Sequence, residues 1–439
     1  MFTIFGDKPG FAAMMGKPMS MRPNLLRALF ALPAAALLMP GPAMAALPEA
    51  GVSILADSGD TAWLLGGTML ALLAAIPGLL LYVLGHVGRH QAQRVLTAAI
   101  AGMMLATLLF FAVGYSLMFD QLTDNAMSGW LGGGANIMLN AMGTIREGTT
   151  IPETGFVVLR LSYILLSVTL LTAVLAPRAR PGWLVGFSAL WVLLVLVPVN
   201  RWLSDSGWLT ATGALDYVGG ISIFYCTGAS ALIASVLIGG KATSEAEPTP
   251  LMQLSGASLL LVGMAALAAA STGGASDDAA VAVINMLTAS ATAALMLCAL
   301  RRRLEADALA AGLVAGIVAM AAGGDGVSVG GAWLIGIAAA LASHFGPSFM
   351  PKRFTWQEGN QTLIGISGAA KTGAFLFAIF LAFMPFGGSG YPEGMTMGSQ
   401  IIAQLIAILA VAGWSVLGTL IAALSVSLLL PMRDAKAAD

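Results

Sequence analysis

Two ten-residue stretches of this sequence closely match each other, and one of them contains a lysine. GISIFYCTGA begins at Gly220 and GISGAAKTGA begins at Gly365, and six of the ten letters agree without a gap. The second stretch places Lys371 about ten residues inside a long apolar segment. An ionisable side chain at that depth is costly and marks a functional position by default. Lys371 is therefore a candidate lumen residue, and a structural role is the open alternative.

Other kinds of chemistry find little support in the residues. GISGAAKT nearly fits the phosphate-loop pattern G-x4-G-K-T, but Ala370 replaces the second glycine and no strand precedes it. Cys226 and Cys298 both lie in apolar segments, so we do not expect a disulfide framework, and the three His residues show no metal-ligand spacing. No nucleophile has a base beside it. We therefore expect no enzyme, no resident metal and no cofactor.

The composition defines the class of protein. Hydrophobic residues make up 58% of the 439 residues, charged residues make up 9%, and the mean hydropathy is +0.88. A soluble protein of this size could not cover so much apolar surface with so few charges. The formal net charge of −1 gives no basic surface for nucleic acid. The chain is predicted to be an all-α protein that crosses a lipid bilayer many times.

Apolar segments of bilayer length predict about eleven transmembrane helices. The predicted spans are approximately 63–86, 95–119, 154–177, 183–203, 214–240, 252–273, 279–300, 308–323, 329–349, 361–386 and 397–431. The eighth is short and rich in Gly and Ala, which is typical of a span that neighbouring helices bury.

The N-terminal residues 1–45 are predicted to be an extension followed by a signal peptide. Arg22 and Arg27 precede an apolar run too short to span, and Ala43-Met44-Ala45 fits a cleavage site. An uncleaved anchor helix is the alternative, and Met21 is a second candidate start. Residues 46–431 then form the membrane domain, and residues 432–439 form a short cytoplasmic tail.

Loop charges predict the orientation. One set of alternate loops carries most of the basic residues, which are Arg89, Arg94, Arg178, Arg180, Lys241, Arg301, Arg302, Arg303, Lys352, Arg353, Arg433 and Lys436. The opposite loops are mainly acidic, and their basic residues are Arg146 and Arg201. The positive-inside rule then places the mature N-terminus outside and the C-terminus in the cytoplasm. With the signal peptide, this pattern indicates the bacterial inner (plasma) membrane.

The two matching stretches predict an inverted repeat. They lie in the fifth and tenth spans, which run in opposite directions through the membrane. Matching segments in opposed orientation are typical of two halves related by a pseudo-twofold axis in the membrane plane. Spans one to five would mirror spans six to ten, and the eleventh would be additional. In this register Phe224 corresponds to Ala369, Cys226 to Lys371 and Asp216 to Gln361.

With these features the sequence resembles the ammonium transporter (Amt/Mep/Rh) family along almost the entire chain. The local matches occur in the same order as in that family: IPGLLLYVLG from Ile76, VGYSLMF from Val113, VLAPRAR from Val174, GALDYVGG from Gly213, SVGGAWLIG from Ser328 and, more weakly, EGMTMGSQ from Glu393. The resemblance implies a trimer of eleven-helix subunits, each with its own narrow pore for ammonium or ammonia. In the family, aromatic rings gate that pore and two facing His residues line its lumen, where imidazoles can accept hydrogen bonds and protons.

The resemblance also implies where the family's pore residues fall. The first lumen His falls on Phe224 and the second on Ala369, so both imidazoles are absent. The outer gate ring falls on Tyr163, which is still aromatic, and the ring below it falls on Leu267. The scaffold is therefore expected to persist without the family's conduction chemistry.

The same comparison covers the outer vestibule. The vestibule Trp falls on Ser204, the vestibule Ser is kept as Ser271, and Asp216, which has a structural role in the family, is also kept. Arg160, near the outer end of the third span, is predicted to reach the surface with its charged head.

Two functional hypotheses follow from these residues. The first is an ammonium-transporter-like channel or transporter with a degenerate pore, for ammonium, ammonia or another small solute. The second is a non-conducting receptor, sensor or assembly subunit built on the same scaffold. Measured uptake would separate them.

The orientation gives a first prediction. Reporter fusions at Lys241 and Asp439 should both read cytoplasmic, because the basic loops face that side. A periplasmic signal at either fusion site would overturn the predicted topology.

Overall fold

A computed structural model describes residues 56–87, 89–121, 127–140, 142–239, 249–352, 358–382 and 387–433. The predicted signal peptide at 1–45 and the last residues of the predicted tail lie outside these ranges. The described residues form eleven apolar helices: α1 Ser58–Leu84, α2 Gln91–Phe119, α3 Glu153–Leu175, α4 Pro181–Trp202, α5 Gly220–Ile238, α6 Pro250–Ser271, α7 Asp277–Arg301, α8 Ala306–Met320, α9 Val329–Phe349, α10 Gln361–Phe380 and α11 Met397–Ser427.

Ten of these helices are long and apolar enough to cross a membrane, and α8 is the shorter exception. The predicted all-α membrane fold is confirmed, and so is the short eighth span. The most buried helix of the bundle is α3. We call the end of the bundle that carries residues 127–152 and 203–219 the outer end, after the predicted orientation.

Helix contacts follow the predicted inverted repeat. In the first half α3 packs against α1, α2, α4 and α5, and in the second half α8 packs against α6, α7, α9 and α10. The contact of α2 with α4 has its counterpart in the contact of α7 with α9. The halves meet where α1 crosses α6 and where α5 crosses α10. The contacts that α3 makes within the first half therefore have counterparts around α8 in the second half.

Helix α11 is the main departure from this symmetry. It packs against α4, α5 and α10 and lies across the first half of the repeat. Trp414 Nε1 donates a hydrogen bond to Leu194 O at 2.9 Å, and Ser415 Oγ donates to Cys226 Sγ at 3.4 Å. The last helix is thus fixed to α4 and α5 by polar contacts as well as by apolar packing.

Glycines allow the closest helix crossings. A Cβ at Gly263 would lie 2.5 Å from Ala74 Cβ where α6 crosses α1, and one at Gly373 would lie 2.1 Å from Ala319 O where α10 crosses α8. Membrane helices associate through such close backbone approach, because lipid provides no hydrophobic drive between them. Any side chain at these positions would push the helices apart.

Two prolines inside the membrane spans lie in or just after a widened, π-helical turn. Pro77 lies in a π-helical turn at Ala74–Gly78, and Pro198 follows another at Val192–Leu196. A proline ring clashes with the carbonyl one turn earlier and removes a backbone donor, and a widened turn relieves that clash. Both helices therefore continue through their prolines.

The two basic residues of the outer loops are both held by nearby acceptors. Arg201 is buried and donates to Ser128 O and Met118 O, which fixes the outer loop. Arg146 forms ion pairs with Glu153 at 3.2 Å and with Asp205 at 3.4 Å. Arg146 and Arg201, the two basic residues on the mainly acidic outer side, thus have structural roles.

The crossing of α8 and α10 gives a prediction about stability. Gly373→Ala should lower the midpoint of thermal unfolding in detergent by several degrees, because overpacking costs about 1–3 kcal/mol. Gly413→Ala on α11 is the matched control, since its Cβ would meet nothing within 4 Å. The control should leave the midpoint unchanged or raise it slightly, because Ala favours helix over Gly. Equal losses in both variants would contradict the predicted close crossing.

Candidate functional site

Asp216 organises the start of α5. Its two carboxylate oxygens accept hydrogen bonds from Ile221 N at 3.0 Å and Ser222 N at 2.8 Å. These amides belong to the first turn of the helix, where backbone donors have no partner within the helix. Burial raises the pKa of the Asp216 carboxyl, while the two amide bonds and the charge of Arg160 act in the opposite direction. The predicted structural role of Asp216 agrees with this geometry.

The backbone that precedes α5 is hydrogen-bonded to the second half of the repeat. Val218 N donates to Ala321 O at 2.8 Å, just after α8 ends. Gly219 adopts φ +90°, a left-handed conformation that favours glycine. Gly220 lies so close to the α8 side that a Cβ would be 2.6 Å from Ala322 N. The first turn of α5 therefore has little freedom to move.

Phe224 lies in that first turn, which is a π-helical turn at Gly220–Tyr225 that packs directly on α10. Gly228 lies against Ser367, because a Cβ at Gly228 would be 2.0 Å from Ser367 Oγ. The helices run in opposite directions, so Phe224 and Ala369 lie at depths that differ by about 3 Å at 1.5 Å per residue. The crossing of α5 and α10 thus brings the two predicted lumen positions to one level.

Both lumen positions are buried. Phe224 is 1% exposed and Ala369 is 0% exposed, and both belong to the central apolar cluster. Water reaches neither side chain, and neither offers a hydrogen-bond acceptor or a site for a proton. We call the contact surface between the two halves at Phe224 and Ala369 the seam. At this level the seam is therefore apolar and closed to water.

The predicted gate residues lie together toward the outer end of the same region. Tyr163, which is 2% exposed, donates from its hydroxyl to Tyr217 O at 3.2 Å and lies 3.3 Å from Ser271 Oγ. Ser271 Oγ in turn donates to Leu267 O at 2.8 Å. Tyr163, Leu267 and Ser271 thus lie together, with the Tyr163 and Ser271 hydroxyls in contact.

The guanidinium of Arg160 lies over the ring of Tyr163, a contact that the sequence analysis missed. Its guanidinium carbon is 4.7 Å from the ring centroids of both Tyr163 and Phe156 and 5.5 Å from that of Phe119. Such distances correspond to cation–π contacts. The spacing of Phe156, Arg160 and Tyr163 on one helix was the signal available in the sequence. A cationic side chain of this chain therefore already lies over the Tyr163 ring.

Ser204 lies in a different cavity from the gate. It lines a polar cavity of about 630 Å³ at the outer end, together with Asp120, Arg146, Arg201 and Asp205. Ser204 Oγ donates to Arg201 O at 2.8 Å, and Asp120 accepts from Asn136 N at 2.8 Å. The cavity carries both signs of charge, and its arginines are held by acidic or carbonyl partners.

Lys371 is exposed and lies away from the buried lumen positions. It lines an open groove on the outside of the bundle between α5, α9 and α10, with a volume of about 580 Å³. Tyr225 and Thr372 also line this groove. Within the described ranges, no group of three His, Cys, Asp or Glu side chains could hold a metal ion.

Comparison with known proteins identifies the family. The sequence model of the Ammonium Transporter Family matches residues 62–438. The chain belongs to the ammonium transporter family. Ammonium transporter Amt1 of Archaeoglobus fulgidus is 27% identical over 86% of this chain and 94% of its own length. An ammonium transporter of Bacillus subtilis is 24% identical over 85% and 93%.

Solved structures agree with the family and the fold. A crystal structure of a point mutant of Candida albicans Mep2 matches with a TM-score of 0.77 and 25% identity, covering 88% of each chain. A protein described as a sensor Amt protein matches with a TM-score of 0.75 at 19% identity, which shows a shared fold only. This ammonium transporter family member thus keeps the scaffold, with Phe224 and Ala369 at its central seam.

The contacts of Asp216 give a prediction. Asp216→Ala should lower the midpoint of thermal unfolding by a few degrees, since losing a helix cap costs about 0.5–2 kcal/mol. Asp216→Asn, which keeps one acceptor oxygen, should lose less. Asp205→Ala is the control, because that carboxylate is 89% exposed. The capping role would be wrong if Asp216→Ala unfolded at the same temperature as Asp205→Ala.

Proposed function

We propose that this ammonium transporter family member moves ammonia, or another small neutral solute, through the seam between its two halves, and that it does not conduct the ammonium ion. The observation that carries this proposal is the guanidinium of Arg160 over the gate ring of Tyr163. A cation that approached this ring would meet a like charge in a region of low dielectric constant, where repulsion is strong.

The buried seam supports the same selectivity. A charged group at the centre of a membrane costs several kcal/mol at least. Paired imidazoles would offset part of that cost, but Phe224 and Ala369 stand at the corresponding positions, and neither can accept a hydrogen bond or a proton. A small neutral molecule lacks the charge penalty and requires only transient opening of the packing around Phe224.

The relatives support transport of ammonium or ammonia as the substrate class. Curated relatives that cover most of this chain are named ammonium transporters. We extend to this chain the transporter role, a homotrimeric assembly and a location in the bacterial inner membrane with the mature N-terminus outside. A native mass measurement in mild detergent would test the trimer.

A non-conducting receptor, sensor or assembly subunit is the second candidate. The observation in its favour is the exposure of 1% at Phe224 and 0% at Ala369, since a seam that admits no water has no resting path for a solute. In that case the scaffold would serve recognition alone.

Proteoliposomes containing a pH-sensitive dye separate the two candidates. After rapid mixing with an ammonium salt, wild-type vesicles should become alkaline faster than empty vesicles, because ammonia enters and takes up a proton. Phe224→Ala should increase that rate several-fold by opening the seam. Phe187→Ala is the matched control, because Phe187 is also fully buried but stacks on Trp183 in α4, away from the seam.

The outcomes distinguish the candidates. An increase in Phe224→Ala together with an unchanged rate in Phe187→Ala supports passage along the seam. Rates equal to those of empty vesicles in both wild type and Phe224→Ala would contradict transport and favour the non-conducting candidate.

A further inference from the structure

The groove that contains Lys371 has a pseudosymmetric counterpart within the same chain. Residues of α5, α9 and α10 line it, among them Tyr225, Ala338, Ser367 and Lys371. The inverted repeat relates α10 to α5, α9 to α4 and α5 to α10. The counterpart is therefore the surface of α5 between α4 and α10.

Helix α11 fills that counterpart. It contacts α4, α5 and α10 together. Its Ser415 Oγ donates to Cys226 Sγ at 3.4 Å, and Cys226 is the repeat partner of Lys371. At one of the two equivalent places, this fold therefore holds a complete transmembrane helix.

The same offset of 145 residues, from Gly220 to Gly365, can be applied to the neighbouring helix. The alignment that pairs Gly220 with Gly365 also pairs Leu194 and Val195 of α4 with residues 339 and 340 of α9. Leu194 O accepts the bond from Trp414, and a Cβ at Gly418 of α11 would lie 2.6 Å from Val195 Cγ2. On α9, Ala338 and Leu341 line the open groove on either side of the matched pair. Ala339 and Ala340 are themselves fully buried, so the equivalence of the open groove and the occupied site holds at the level of the helices.

The open groove exposes one charged group that a helix could neutralise. Among the described residues, no hydrogen bond or ion pair is formed by the ammonium group of Lys371. Lys371 lies ten residues after Gln361, the first residue of α10, or about 15 Å along the helix. A snorkelling side chain does not cover that distance, so its charge calls for a carboxylate at the same depth.

A second copy of this chain cannot supply that carboxylate. Acidic residues occur in the described spans only within the first few positions of a helix, as at Asp60, Glu153 and Asp277, or in the loops between helices. None of them lies near the middle of a span. The carboxylate must therefore come from a different chain.

We propose that this groove binds one transmembrane helix of a different protein, which carries an Asp or Glu near its centre. In the bound state its carboxylate accepts a hydrogen bond from Lys371 Nζ. Charge-assisted bonds of this kind are stronger than neutral ones. The small side chains at Ala338, Ala342 and Gly368 let the helix backbone approach closely. The proposal does not depend on whether the seam conducts.

Full-length protein in nanodiscs and a synthetic transmembrane peptide test this proposal. The peptide is a 22-residue Leu/Ala helix with Lys at both ends, a central Glu and a photoreactive group, and a second peptide has Gln in place of Glu. The Glu peptide should bind wild type at least about tenfold more tightly than the Gln peptide and should cross-link to α9 or α10. A tenfold difference corresponds to about 1.4 kcal/mol.

Three variants give the test its controls. Lys371→Met should remove the preference for Glu, and since Lys371 is exposed its loss should leave the fold intact. Lys352→Met, at an exposed lysine outside the groove, should keep the preference. Ala338→Leu should weaken both peptides by filling the groove without changing charge.

Three results would overturn the proposal. The first is equal binding of the two peptides to wild type, and the second is a preference for Glu that survives in Lys371→Met. The third is cross-linking between copies of this chain through α9 and α10 that excludes the peptide, since it would make the groove a contact between subunits.

Discussion

The crossing of α5 and α10 is the contact on which the rest of the site depends. Gly228 lies against Ser367 where the two helices meet, since a Cβ at Gly228 would be 2.0 Å from Ser367 Oγ. Because the helices are equivalent in the repeat and opposite in direction, this one contact sets the depth of both lumen positions. Residues two positions apart lie on different faces of a helix. The face of α10 that carries Ala369 is therefore buried in this contact, while the face that carries Lys371 is exposed.

The fold could be predicted from the sequence because a bilayer leaves few solutions. Long apolar segments must be helices, since backbone groups in lipid have no other partners. The six matching letters at Gly220 and Gly365 were enough to reveal the repeat, and the short α8 was visible as a Gly- and Ala-rich segment. The π turns at Pro77 and near Pro198 were not predicted, because they result from the local response of a helix to a proline.

The site was less predictable, because which way a side chain points depends on packing. The burial of Phe224 and the link between Tyr163 and Ser271 agree with positions inferred from the family. Arg160 was interpreted as a snorkelling residue, yet its guanidinium lies over Tyr163, a contact that only the helix spacing indicated. Ser204 lines a separate polar cavity, and Lys371 lies in an outer groove. A single sequence indicates the depth of a residue along its helix but not the face on which it lies.

These placements give one physical account of the molecule. The chain keeps the scaffold of the ammonium transporter family, and we propose that Phe224 closes its central seam and that Arg160 repels cations at Tyr163. The most direct test is the current evoked by an ammonium jump in wild-type proteoliposomes on a solid-supported membrane. The account predicts no current above that of protein-free membranes. A saturable ammonium current that persists with Phe224 and Arg160 in place would contradict it.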